Sequence, residues 1–276
     1  MAMSVPQSTK LLVATDLDAT LLDHQTYRYD AALPAIDRLR AHHCPIIFNS
    51  SKTQAEQTVL RKELSIEDPF ILENGAAVVI PPGCLGHADD AAEPEMNVFG
   101  LPYAKLVDVL ARLRERHGFA FRGFSDLTAE ELAELTGLSI EGAIAAKQRS
   151  GTEPLYWEDS EAAYQTLVDE LADLGLQTTQ GGRFRHVMGN TDKGSALKWL
   201  VERYQKTFPD VQWTVVALGD SPNDLPMLRV ADIGVLIPNP HRVPFDVTGV
   251  ARLLRPQQPG PEGWAEAMQN IIQHHL

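Results

Sequence analysis

Apolar residues along this chain fall into short runs that alternate with stretches of helical spacing. Residues 11–15, LLVAT, form a continuous apolar run, the pattern of a strand buried on both faces. Over residues 29–43, Leu33, Ile36 and Leu39 recur three apart and predict a helix with Asp30 as its N-cap. The run PIIFN (45–49) predicts the next strand. Thr53, followed three residues later by Glu56, predicts a helix start closed by a capping box. FILE (70–73) and AAVVI (76–80) flank Asn74-Gly75, a hairpin-turn signal. Strand and helix thus alternate over the first 82 residues, as in a parallel α/β sheet covered by helices on both faces.

The pattern then changes. PPGCLGHADDAAEPEMN (81–97) is rich in proline, glycine and acid and reads as a linker or long loop. Beyond it, helical spacing appears in TAEELAELTG (128–137) and in SEAAYQTLVDELADLG (160–175), the latter closed by Gly175. Short strand-like pieces, LYWED (155–159), LQTTQ (176–180) and RFRHVM (183–188), lie between and after these helices. From about residue 188 the first pattern returns, with a helix over TDKGSALKWLVERY (191–204) and strands over WTVVAL (213–218) and DIGVLIP (232–238). The expected architecture is an α/β core with a parallel sheet, residues 1–84 and 188–276, interrupted by an inserted α+β domain, residues 85–187.

Charge narrows the partners. Lys and Arg number 24 against 37 Asp and Glu, a net charge of 24 − 37 = −13. Nucleic acid and anionic membranes attract basic surfaces, so neither is an expected partner. An acidic chain that binds a phosphate needs local cations or a metal to do so. No run approaches about 18 apolar residues, and the first ten residues lack the apolar core of a signal peptide, so no membrane span is expected. Cys44 and Cys84 form no C-x-x-C pair, which leaves zinc unsupported and suggests free thiols in a reducing cytoplasm. The oligomeric state is not legible.

Candidate chemistry sits at two strand ends. In VATDLDATLL (13–22), Asp16 and Asp18 follow the first apolar strand and, two apart in an extended backbone, face the same side. Ligands of parallel α/β sheets bind at the carboxyl ends of strands. Two carboxylates there can attack and pass a proton, or hold a cation; they are also ordinary turn and cap residues. A second acidic pair, Asp220 and Asp224 in ALGDSPNDLPM (217–227), follows another apolar strand, within a stretch of turn formers. Four carboxylates brought to one edge would repel one another, and a hard divalent cation such as Mg²⁺ resolves that. Ser50, after the strand PIIFN, and Lys193, at the start of a helix, are placed where hydroxyl and ammonium can reach a phosphoryl group.

The order D-x-D-x-T, Ser after a strand, Lys, then G-D-x-x-N-D resembles the haloacid dehalogenase (HAD) phosphatase superfamily over nearly the whole chain. The insert between Ser50 and Lys193 resembles the α/β cap of the C2-type class, on a Rossmann-like core. Within that class SSKTQAE (50–56), ILENGAAV (71–78) and GGRFRHV (181–187) are similar to phosphatases of mannosyl-3-phosphoglycerate. Ala19 departs from the usual glycine of D-x-D-G-T and gives up freedom at positive φ.

The resemblance implies Mg²⁺-dependent hydrolysis of a phosphorylated sugar acid, mannosyl- or glucosyl-3-phosphoglycerate. Asp16 is then the nucleophile that forms an aspartyl-phosphate, and Asp18 the general acid and base. Ser50 and Lys193 bind phosphoryl oxygens, and Thr20 supports the loop. Asp16, the Asp18 carbonyl, Asp220 and Asp224 form the metal shell. Asn223 orients Lys193 or the phosphate. In the cap, Arg149 and Arg183 are candidates for the substrate carboxylate, because guanidinium binds carboxylate bidentately. Thr152, Gly182, His186 and Lys52 are further candidate contacts. A broader sugar phosphatase, a phosphomutase and a non-catalytic sugar-phosphate sensor remain alternatives.

Overall fold

The computed structural model of the chain describes residues 8–88, 93–181 and 183–276. The amino-terminal part contains β1 (Ser8–Thr15), α1 (Leu33–Ala41), β2 (Ile46–Phe48), α2 (Gln54–Glu63), β3 (Phe70–Leu72), β4 (Ala77–Ile80) and β5 (Glu95–Val98). The middle part contains α3 (Tyr103–His117), β6 (Phe121–Gly123), α4 (Ala129–Thr136), α5 (Ile140–Ala146), β7 (Thr152–Trp157), α6 (Glu161–Asp173), β8 (Leu176–Gly181) and β9 (Phe184–Gly189). The chain closes with α7 (Lys193–Thr207), β10 (Val211–Gly219), α8 (Leu225–Val230), β11 (Ile233–Leu236), β12 (Leu253–Leu254) and α9 (Gly260–His275).

A five-stranded parallel sheet, order β12-β11-β10-β1-β2, unites the two ends of the chain. The antiparallel strands β3-β4-β5 extend it beyond β2 through a bridge between Asn49 and Ile71. The middle part builds a separate four-stranded antiparallel sheet, order β6-β7-β9-β8.

The central strand shows why its sequence is apolar throughout. Leu11 and Val13 pack into one core with Ile36 and Leu39 of α1 and Trp264, Met268 and Ile272 of α9. Leu12 and Ala14 point the other way, into a core with Leu197 and Leu200 of α7 and Met227 and Leu228 of α8. A strand whose alternate residues enter two different cores has no face left for polar side chains. β1 and β10 pair in parallel with Thr15 beside Leu218, so their carboxyl ends stop at the same level.

Several local expectations are corrected. Asp30 does not cap α1: a 3₁₀ turn over Asp30–Ala32 precedes that helix, Ala32 occupies its N-cap without a side-chain bond, and Asp30 pairs with Arg28 at 2.9 Å. Within the stretch expected as linker, residues 95–97 form strand β5 with Val98, paired to β4. Helix α3 buries Leu106, Val109, Leu110 and Leu113, and α9 buries Trp264, Met268, Ile271 and Ile272. Neither helix is among the elements predicted above, although both spacings are helical.

The capping box of α2 is present, with Thr53 Oγ1 accepting from Glu56 N and Glu56 Oε2 accepting from Thr53 N. The Asn74-Gly75 turn joins β3 to β4 through successive left-handed residues, Glu73 at φ 51°, Asn74 at 59° and Gly75 at 94°. A Cβ on Gly75 would lie 2.1 Å from the Asp192 carbonyl oxygen, so the turn admits the start of α7 only because it carries glycine there. Among the described residues no helix is long and apolar enough to cross a membrane.

Candidate active site

The two aligned strand ends deliver the acidic residues. Asp16 N donates to Leu218 O at 2.9 Å, tying the end of β1 to β10. Thr15 Oγ1 donates to the Asp16 carbonyl at 2.7 Å and accepts from Trp264 Nε1 at 3.0 Å, so α9 braces the same corner from beneath. Carboxylate oxygens of Asp16, Asp220 and Asp224 lie within 4.8 Å of one another, and all three residues are buried.

Lys193, at the first position of α7, resolves part of that repulsion. Its Nζ donates to Asp16 Oδ1 and to Asp224 Oδ1, both at 2.6 Å, with no side-chain exposure. Burial lowers the ammonium's proton affinity, but Asp16 and Asp224 outweigh it and hold Lys193 above its ordinary value. Burial likewise pushes Asp16 well up, with Lys193 opposing and Asp224, Asp220 and Asp18 adding to it. Asp220 is pushed up by burial and by Asp224. One lysine does not balance three buried carboxylates.

The remaining contacts separate the roles of these carboxylates. Asp224 Oδ2 accepts from Asp220 N at 3.0 Å, Ser221 N at 2.9 Å and Ser221 Oγ at 2.9 Å, so its carboxylate is already surrounded by donors. A Cβ on Gly219 would fall 2.4 Å from Asp224 Cβ, which explains the glycine in ALGDS. Asp220 Oδ1 accepts from Thr20 Oγ1 at 3.3 Å, and its Oδ2 accepts from Asn239 Nδ2 at 2.6 Å. Three hard oxygen donors this close suit a hard cation such as Mg²⁺. Asp220 Oδ2 also pairs with Arg242 Nε at 3.3 Å, and Asp224 holds both the turn and Lys193.

Asp18 lies at the mouth of the cluster. Its Oδ2 pairs with Lys52 Nζ at 3.0 Å, while Oδ1 is buried and makes no hydrogen bond. Lys52 also stands 5.7 Å from the centre of the Tyr27 ring. Ser50 is fully buried at the end of β2, its Oγ accepting from Lys52 N at 3.3 Å. Asn223 Nδ2 donates to Asn74 Oδ1 at 3.0 Å, beside Lys193.

Ala19 has φ 62°, the left-handed conformation in which an alanine costs roughly 1–2 kcal/mol. Glycine removes that strain but adds about 0.4–1 kcal/mol of unfolded-state freedom. Ala19→Gly is therefore expected to stabilise the protein by up to about 1.5 kcal/mol, measured by urea unfolding. A clear loss of stability would show that the buried Ala19 methyl outweighs the backbone.

The cap candidates divide. Arg149 and Thr152 do not reach the carboxylate cluster; they are committed to Glu73, a fully buried carboxylate on the β3–β4 turn. Glu73 accepts from Ser150 N at 2.7 Å, Thr152 N at 2.9 Å and Thr152 Oγ1 at 2.8 Å, with Arg149 at 3.5 Å. Arg149 also donates to Ser51 O at 3.3 Å and Ala146 O at 3.2 Å. A buried carboxylate must be paired, and that requirement claims the arginine. Arg183 lies on the surface, donating to Thr136 O at 3.4 Å. His186 is buried on β9 opposite Pro154 and Thr179. Gly182 lies outside the described residues.

A cleft of 560 Å³ opens beside the cluster, between the start of α7 and strand β8. Asn74, Asn223, Lys193 and Arg242 line it. Sequence reasoning missed Glu73, Asn49, Asn74, Asn239 and Arg242. Asn49 Nδ2 donates to the Lys193 carbonyl at 3.0 Å and so fixes the first turn of α7. Asn74 was visible only as a turn residue, and Asn239 and Arg242 sit in the irregular stretch after β11 without any motif.

Comparison with known proteins places the chain among its relatives. A family model described as haloacid dehalogenase-like hydrolase matches residues 153–243. The glucosyl-3-phosphoglycerate/mannosyl-3-phosphoglycerate phosphatase of Methanococcoides burtonii is 39% identical over 267 residues, 95% of this chain and 97% of that protein. The protein of the same description from Persephonella marina is 36% identical over the same shares. Among solved structures, a phosphatase of the HAD superfamily from Bacteroides thetaiotaomicron superposes with a TM-score of 0.67 over 98% of each chain at 21% identity, a likeness of fold.

Proposed function

The chain belongs to the haloacid dehalogenase-like hydrolase family and is a phosphoric monoester hydrolase within it; from that premise we propose that it removes the phosphate of mannosyl- or glucosyl-3-phosphoglycerate, with Asp16 as nucleophile. The observation that carries the chemistry is the buried Lys193 ammonium, 2.6 Å from both Asp16 and Asp224 at the carboxyl ends of β1 and β10. The substrate class rests on relatives similar over 95% of the chain. The segment carrying the four-stranded sheet, expected over 85–187, is read as the cap that selects substrate.

The steps follow from what each residue can do. An Asp16 carboxylate oxygen attacks phosphorus and the bond from phosphorus to the glycerate oxygen breaks. Asp18 gives its proton to that leaving oxygen. Water then attacks the aspartyl-phosphate, Asp18 takes the water's proton, and inorganic phosphate leaves with the Asp16 carboxylate restored. Lys193 and Ser50 bind the equatorial oxygens, whose charge needs stabilising throughout transfer. Asn74 Nδ2, buried without a hydrogen-bond partner beside Lys193, is a further donor toward the same oxygens. Asp16, Asp220 and the Asp18 carbonyl would hold Mg²⁺, with Asp224 behind them, and the bound ion would offset the charge of phosphate and carboxylates.

The raised carboxylates give a pH signature. The folded chain binds the Asp16 and Asp220 protons more tightly than the unfolded chain, whose value is near 3.8. The stability they contribute is complete below that value and is lost as pH rises through their folded values. Mg²⁺ competes with these protons. The rise in Tm produced by Mg²⁺ over EDTA is expected to be larger near pH ~8 than near pH ~5 by calorimetry; equal rises would contradict this electrostatic picture.

Phosphate release with Mg²⁺ tests the function. The panel is mannosyl-3-phosphoglycerate, glucosyl-3-phosphoglycerate, 3-phosphoglycerate and common hexose phosphates. Selective turnover of one glycosyl-phosphoglycerate, abolished by EDTA, is the expected result. Comparable slow turnover of every ester would leave a general sugar phosphatase, and a requirement for a bisphosphate activator would identify a mutase.

A further inference from the structure

We propose that Arg242 is the specificity residue that binds the carboxylate of the substrate's glycerate group. The inference rests on the glycosyl-phosphoglycerate reading. Such a substrate carries two anionic groups, and the carboxylate needs a cation separate from the one at the phosphate. Among the described residues lining the cleft, Lys193 and Arg242 are the lysines and arginines. Lys193 is fully buried between Asp16 and Asp224, which leaves it to the phosphoryl group. Arg149, expected from sequence to take the carboxylate, is locked to Glu73 and Thr152 and does not line the cleft. Arg183 does not line it either.

Arg242 has the required freedom and position. Its side chain is 43% exposed, and Nε lies 3.3 Å from Asp220 Oδ2. That oxygen also accepts from Asn239 Nδ2 at 2.6 Å, so Asp220 keeps a hydrogen-bond donor when the arginine turns toward a ligand. Among the described residues Asp220 is the ion-pair partner of Arg242. A planar guanidinium that is nearly half exposed and lines the cleft is suited to bidentate capture of a carboxylate.

The backbone beneath it is built rather than loose. Pro238 and Pro240 flank Asn239, whose Oδ1 accepts from His241 N at 3.0 Å and whose carbonyl accepts from Arg242 N at 3.2 Å. The His241 ring stacks on His24 at 4.7 Å, joining this turn to the loop that follows Asp16 and Asp18. The guanidinium is thus presented from a fixed turn, next to the acidic cluster, at the wall where a short phosphorylated acid would extend. Opposite, Gln177, Thr178, Thr179 and Gln180 all line the cleft. Four consecutive residues on an edge strand present its backbone edge together with amide and hydroxyl groups, a surface suited to sugar hydroxyls.

The test compares mannosyl-3-phosphoglycerate with its analogue bearing a hydroxymethyl group in place of the carboxylate, using native enzyme, Arg242→Gln and Arg242→Lys. The native enzyme should prefer the carboxylate substrate. In Arg242→Gln the preference, read as a ratio of kcat/KM values, should fall roughly 10- to 100-fold, mainly through KM. Arg242→Lys should recover part of it, and any change in the Mg²⁺ concentration for half-maximal rate should be too small to account for the lost preference. Equal losses on both substrates, with a shifted Mg²⁺ requirement, would show that Arg242 acts only through Asp220 and overturn the proposal. An unchanged preference would overturn it as well. A native enzyme without any preference would overturn the substrate reading itself and the carboxylate assignment with it.

Discussion

Asp16→Asn is expected to abolish turnover without unfolding the protein. The amide keeps the shape of the carboxylate but not its nucleophilic oxygen, and among the described residues the other two carboxylates of the cluster are already engaged. Asp224 accepts three donors on its second oxygen, and Asp220 is held by Thr20 and Asn239. A loss in kcat on the order of 10⁴-fold or more is expected, the scale seen when a covalent nucleophile is removed. Stability should move the other way. Three buried carboxylates face Lys193 and the half-exposed Arg242, and the Asp16 charge is disfavoured by burial. Neutralising it leaves Lys193 paired with Asp224 and relieves the rest. In EDTA the variant's Tm is expected to match or exceed that of the native protein, while the gain on adding Mg²⁺ shrinks. Lost activity with a collapsed Tm would mean instead that Asp16 serves the fold.

Lys193→Met should be the most destabilising of the site substitutions. The ammonium is fully buried and is the cation at 2.6 Å from both Asp16 and Asp224. Methionine fills most of the volume but leaves those carboxylates buried and unpaired, a loss of about 3–5 kcal/mol. The sign with pH is fixed by the carboxylates. As pH falls Asp16, whose proton affinity burial raises, protonates and no longer needs the lysine, so the deficit should narrow in acid and widen at neutrality. Activity should fall on the order of 10²- to 10³-fold in addition, since a preorganised cation at the phosphoryl oxygens is gone. Paired denaturation curves at two pH values measure the first effect. A deficit independent of pH would assign Lys193 a packing role.

How far the sequence carries this account depends on what each residue must satisfy. The LLVAT run was legible as a strand because each of its alternate faces enters its own core. Asp16 and Asp220 were legible because turn acids after buried strands must emerge at the sheet's carboxyl end, and parallel register then sets them side by side. Lys193 was legible as a candidate for the phosphoryl group, but its place between Asp16 and Asp224 was not: 177 residues separate Lys193 from Asp16, and only the tertiary fold brings them together. Arg149 went astray for the same kind of reason. Its partner, Glu73, lies 76 positions earlier (149 − 73), and nothing local announces that this carboxylate is buried. Asp30 had the residue type of a cap, but Arg28, two positions away, competes for it. α9 was legible in principle, since Trp264, Met268, Ile271 and Ile272 fall on one helical face after Pro261. Arg242 belongs to an irregular proline-flanked turn, where periodicity has nothing to say.

The central claim is that the carboxylate at the end of β1 takes the phosphoryl group from the substrate. Rapid mixing of native enzyme, Mg²⁺ and the best glycosyl-phosphoglycerate, followed by acid quenching and peptide mass analysis, tests it most directly. The account predicts that the peptide containing Asp16 gains the mass of one phosphoryl group during turnover, and that Asp16→Asn shows no such species. A phosphoryl group on a different residue would contradict it, as would rapid phosphate release with Asp16 unmodified at every quench time.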